Sequence, residues 1–233
     1  MTSCNDDLTT VDVLPSNGVS PKNETKPKRA TASKLYRASI VIGHAESTLR
    51  FDGRTNVDID RRALLATIER RVSEKWTLQA AAGGIVTGML KVGQDRHVFG
   101  PGWSAGISAS YRAVAGSGWK PFVLVGGTLA FAGANTQGVK DDSPNVGYLA
   151  GDIRLSIVAG ITYMPGINPY AVVRGFGGPI WWQIDGKDVV GTDRYKFQVG
   201  VGLAVAIPMG FDAFIEYIPA GERALSTGLG YSF

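Results

Sequence analysis

Cysteine is nearly missing from this chain: Cys4 is the only one in 233 residues, so no internal disulfide can brace the fold. Long apolar runs are missing too. No stretch of about 18 uncharged apolar residues occurs, which excludes a transmembrane helix. Charged residues make up only 19%, and histidine is limited to His44 and His97. Metal-ligand spacing, a Gly-rich phosphate loop and a cysteine nucleophile are all lacking, so no metal or cofactor is expected. No window combines a 3.6-residue period with caps, so helices are not expected either. The net charge of +4 gathers at Lys22, Lys26, Lys28, Arg29 and Lys34, without the aromatic interleaving that nucleic-acid binding uses.

What is present is glycine, 31 residues of it, and a mean hydropathy near zero, +0.03. Residues 1–34 are basic and rich in Pro, Ser, Thr and Lys, the composition of a disordered tail. From Leu35 onward the chain breaks into strand-like segments at Gly, Pro, Asn and Asp. They are 35–50, 58–72, 76–91, 102–114, 119–133, 147–164, 168–183, 194–207, 210–218 and 224–233. Gly177-Gly178-Pro179 marks a bulge or bend within the seventh. Tight turns at Ser73–Lys75, Ala115–Gly118, Met164–Asn168 and Pro208–Gly210 alternate with longer, more polar connections at Lys91–Gly102, Ala134–Val146 and Ile184–Asp193, with short exceptions around Asp52–Asn56 and Pro219–Arg223. That alternation, and an even strand count, predict an all-β, closed antiparallel barrel over 35–233. About ten strands are expected, with eight as the alternative.

The two faces of each strand differ in kind. Tyr195, Phe197, Val199, Val201, Leu203 and Val205 share one face, opposite Lys196, Gln198, Gly200, Gly202 and Ala204. The segments 102–114 and 147–164 repeat the pattern, with Gly, Ser and Ala opposite large apolar residues. A water-facing surface is normally dense in Lys and Glu, so the small residues suit a crowded interior. The large residues then face outward, which hydrocarbon tolerates and water does not. Two strands keep an ambiguity: Phe122, Leu124, Tyr170 and Phe176 would face inward in one register. Trp76, Trp103, Trp119, Trp181 and Trp182 fall near strand ends, as interfacial aromatics do.

The last ten residues alternate most cleanly, with Leu225, Thr227, Leu229, Tyr231 and Phe233 on one side, and the chain stops on the aromatic Phe233. This strand resembles the C-terminal signature of Gram-negative outer-membrane β-barrels. The resemblance implies a transmembrane barrel in the outer membrane, with short periplasmic turns and longer extracellular loops. It also implies that Leu229, Tyr231 and Phe233 are read by the barrel-assembly machinery, the second partner after the lipid bilayer. Met1–Ala32 has no apolar signal core, so an export signal is expected upstream or already removed. Thr2-Ser3-Cys4 loosely resembles the end of a lipoprotein signal, with Cys4 as the acylation site.

Within such a barrel the charges Glu69, Arg71, Arg112, Asp152, Arg154, Arg174, Asp212 and Glu216 fall on the inner face. Buried charges need partners, so a neutralising network that plugs or lines a narrow lumen is expected. Passage of small polar solutes is the competing use of the same residues. Asp95-Arg96-His97 and Asp141-Asp142 loosely resemble the catalytic layout of omptin proteases. His44, Glu46 and Ser47 could be assembled on paper as a hydrolase triad. The expected role is non-enzymatic: envelope-structural, adhesive or limited solute passage. The alternative is a soluble lipocalin-like barrel, which would bury the large apolar residues around a ligand and expose the glycines.

Overall fold

In a computed structural model, residues 35–139, 146–184 and 186–233 are described. The basic tail, Cys4 and the Asp141-Asp142 pair lie outside the described residues. The strands are β1 Tyr36–Phe51, β2 Thr55–Arg71, β3 Trp76–Val92, β4 Asp95–Val114, β5 Phe122–Gly138 and β6 Val146–Gly160. There follow β7 Ile167–Gly177, β8 Ile180–Ile184, β9 Lys187–Asp193, β10 Phe197–Ala206, β11 Phe211–Gly221 and β12 Arg223–Ser232. Every neighbour pairing is antiparallel, and β12 closes on β1 from Arg37↔Ser232 to Glu46↔Arg223. Backbone hydrogen bonds continue to the last residue, with the amide of Phe233 donating to the carbonyl of Tyr36 at 2.8 Å.

The expected bend at Gly177-Gly178-Pro179 separates β7 from β8, and both remain on β6. β9 and β10 form the return path of the same long hairpin. The result is a ten-strand closed barrel. Segments Lys91–Gly102 and Ile184–Asp193 are not loops. They continue as strand, β3 pairing with β4 out to Val92↔Asp95 and β8 with β9 out to Ile184↔Lys187, because alternating residues keep pairing beyond the apolar zone.

The stave count changes with height. The β11–β12 hairpin turns back early, at Gly221–Arg223, whereas β9 runs on and pairs directly with β1 at Leu49↔Asp193 and Phe51↔Gly191. Leaving out β11 and β12 reduces the ring from ten strands to eight at the rim away from the termini. Eight strands leave an interior that side chains fill. We call the rim that carries both barrel ends proximal and the narrower one distal.

Orientation of the faces is decided by exposure. Val201 is 57% exposed, Ile153 63%, Leu155 67% and Leu229 66%, whereas Gly200, Gly202, Gly228 and Gly230 point inward against other side chains. This belt of outward Ile, Leu and Val is far too large for a water-facing surface. It excludes the lipocalin-like arrangement. Leu124, Tyr170 and Phe176 are buried inside, so those two strands take the inward register for their large residues. Leu124 and Tyr170 form an inner apolar cluster with Val41, Leu65, Val172 and Phe214, and the partly buried Phe122 packs against it.

Val201→Arg is expected to cost about 2–4 kcal/mol, because it places a charge against hydrocarbon; equilibrium refolding into lipid vesicles measures this. Gly228→Glu should abolish the folded, heat-modifiable band on gels. A Cβ there runs into the Phe214 ring and the carbonyl of Ile40.

Candidate functional site

The lumen is the place where charges converge. Its proximal tier is centred on Arg37 of β1. The guanidinium pairs with Glu69 of β2 on one side and donates from Nε to Asp212 of β11 at 2.8 Å on the other. To reach Asp212 it must cross β12, and it does so over Gly230, where any Cβ would strike the guanidinium. Ser39 and Thr67 hydrogen bond to each other at 2.6 Å one rung further in.

A second tier repeats the geometry two strands away. Arg174 of β7 holds Glu216 of β11 in a bidentate pair at 2.8 and 3.0 Å, and the Tyr170 hydroxyl donates to the same carboxylate at 3.2 Å. The strand between is β10, and the Tyr170 ring lies over Gly202. In the third tier Arg154 of β6 donates to Gln198 of β10 at 3.2 Å, and Gln198 donates to Glu222 at 3.1 Å. Arg154 also lies 3.7 Å from Asp152 and stacks over the Phe176 ring at 4.8 Å. Each tier therefore links strands that are not neighbours; Gly230 and Gly202 make room on the skipped strand in the first two, and in the third Arg154 passes over the Phe176 ring of β7.

Six of the eight charges expected inside, Glu69, Asp152, Arg154, Arg174, Asp212 and Glu216, are buried in these tiers. Arg71 and Arg112 are not with them. They stand half-buried at the proximal rim and join no ion pair among the described residues. Arg37, Arg61, Asp193, Gln198 and Glu222 are buried as well. Arg37 was legible, since Arg37, Ser39, Val41 and Gly43 alternate with Tyr36, Ala38, Ile40 and Ile42. Arg61 was not, because Asp58, Asp60 and Arg62 put charge on the opposite face of the same strand.

Above the charged tiers the interior turns apolar. Leu49, Phe51, Ile59, Leu90, Phe99, Tyr148, Ile180 and Trp182 pack into one cluster that closes the eight-strand end. Trp182 belongs to this plug and not to the interface: it is 3% exposed and its indole N–H donates to Thr136 Oγ1 at 2.8 Å. Its neighbour Trp181 points outward, because consecutive strand residues face opposite ways. Trp76, Trp103, Trp119 and Trp181 are outward and exposed. On the proximal rim, rings meet in pairs: Trp76 with Tyr111, Trp119 with Tyr163, and Phe233 with both Tyr36 and Tyr231. Leu229, Tyr231 and Phe233 share the outer face of β12 with these rings.

The two histidines lie apart. His97 packs edge-on against Trp182 at 5.2 Å, and no hydrogen bond joins it to Asp95 among the described residues. His44 faces outward with Glu46, while Ser47 points inward, so the paper triad does not assemble.

Solved structures with the same architecture include the translocator domain of the autotransporter NalP from Neisseria meningitidis. It is 13% identical with a TM-score of 0.50, over 88% of this chain and 90% of that one. The outer-membrane protease OmpT from Escherichia coli is 10% identical with a TM-score of 0.50, over 88% of this chain and 99% of that one. The fold is that of Gram-negative outer-membrane β-barrels. No family model matches the sequence, and no curated protein matches it.

Removing Arg37 leaves two buried carboxylates facing each other. Arg37→Met is expected to lose about 3–5 kcal/mol by equilibrium denaturation in micelles. Adding Glu69→Gln and Asp212→Asn should restore most of it.

Proposed function

We propose that this protein is a non-enzymatic, non-conducting barrel of the outer membrane with an envelope-structural role. One observation carries the reading: buried charged tiers and an apolar cluster follow one another along the lumen. The Arg37, Arg174 and Arg154 tiers stand in its proximal and middle parts, and the Phe51–Trp182 cluster packs at the distal end. A charge ring that selects solutes leaves its charges facing a path, whereas here each guanidinium reaches over a strand to a protein partner.

The lipid bilayer is the first partner, supported by the outward apolar belt and by the rings at its proximal edge. Basic residues lean over those rings, as Arg70 does on Tyr36 at 5.8 Å and Lys75 on Tyr111 at 5.9 Å, where they can meet lipid phosphates. The outer-membrane assembly machinery is the second partner, through the β12 face of Leu229, Tyr231 and Phe233. The distal hairpins then stand on the extracellular side. A protease reading draws no support from His97, whose ring is engaged by an apolar indole.

In planar bilayers the folded protein is expected to give no stepwise conductance at any holding potential up to membrane breakdown. Regular unitary steps from correctly folded wild-type barrel would overturn the proposal.

A further inference from the structure

Outside the lumen, one cluster of side chains has metal-ligand chemistry. Successive outward rungs of the β1–β2 ladder are Ile42↔Leu64, His44↔Arg62 and Glu46↔Asp60. Ile42 and Leu64 are exposed and apolar, so the next two rungs stand where the apolar belt ends. His44 Nε2 lies 2.9 Å from Asp60 Oδ1 and 3.9 Å from Glu46 Oε1. One ligand atom from each of the three falls within 4.8 Å of the others.

We propose that His44, Glu46 and Asp60 form a binding site for a first-row divalent cation of the zinc type. Metal–ligand bonds of about 2.0–2.2 Å require ligand atoms roughly 3–3.5 Å apart. A small rotation of the Glu46 carboxylate meets that spacing. No backbone shift is needed, since two ligands sit two residues apart on one strand and the third lies directly across from Glu46.

A second observation points the same way. Glu46 and Asp60 are direct cross-strand partners, and like charges so placed destabilise a sheet. Arg223, the partner of Glu46 on β12, forms no ion pair with it among the described residues. Arg62, on the adjacent rung, forms no ion pair with either among the described residues. A divalent cation removes the repulsion outright. The imidazole nitrogen favours zinc and its neighbours over magnesium or calcium, which prefer all-oxygen shells. A surface cleft of about 560 Å³, lined in part by Glu46 and Asp60, gives the ion open access.

The test uses the full chain folded in detergent micelles and stripped with a chelator. Cys4→Ser is present throughout so that the thiol takes no metal. Calorimetric titration with Zn²⁺ should show one ion per barrel. Affinity should fall at least about tenfold in His44→Gln and in Asp60→Asn, and be unchanged in His97→Gln. Without metal, Asp60→Asn should unfold at or above the parent temperature, since the opposed charges are gone. Zn²⁺ should then raise the parent's unfolding temperature but not that of Asp60→Asn. Absence of binding by the parent would overturn the proposal. So would undiminished binding by His44→Gln, or full displacement of Zn²⁺ by equimolar Mg²⁺.

Discussion

Closure of β12 onto β1 is the constraint from which the rest follows. A barrel wall in hydrocarbon can leave no backbone donor unpaired, since lipid supplies no substitute. The last strand must therefore pair along its length with the first, down to Phe233. That seam would be held only by backbone bonds if nothing crossed it. Arg37 crosses it, anchoring on Glu69 and Asp212 to either side. The crossing is possible because β12 presents Ser226, Gly228, Gly230 and Ser232 inward. Small residues on the closing strand are thus a condition for the charged tier, and not merely a consequence of a narrow lumen.

The same geometry recurs at Gly202, beneath Tyr170 on its way to Glu216. Buried ion pairs contribute little net stability when they replace a well-packed apolar alternative. Their effect here is on register. A one-residue slip of β10 or β12 would turn its glycines outward and drive a larger side chain under the guanidinium or the phenol ring. The charge tiers penalise wrong pairings more than they reward the right one.

How much of this was legible in the sequence depends on height along the strands. Within the apolar belt, alternation alone places residues correctly: Val199, Val201 and Leu203 outside, Gly200 and Gly202 inside. Beyond the belt the rule inverts. On β1 the outer face changes from Ile40 and Ile42 to His44, Glu46 and Thr48, while the inner face changes from Arg37 and Ser39 to Leu49 and Phe51. The surroundings have changed from hydrocarbon to water, so the polar face must turn outward and the lumen takes an oily core. Trp182 follows the second rule, which is why its nearness to a strand end misled. The change from ten strands to eight was not legible. It rests on a pairing between Leu49 and Asp193 that is distant in sequence and carries no local mark.

The inversion also bears on where chemistry can occur. Inside the barrel three arginines bridge strands and an apolar cluster packs above them, and all of these side chains are buried. Other functional groups turn outward where the wall leaves the belt, and on β1–β2 these include a histidine beside two opposed carboxylates. A strand pair held rigid by continuous hydrogen bonding presents such groups with little freedom left to lose on binding. For this barrel the outer wall at the membrane boundary is thus a surface on which recognition can be built.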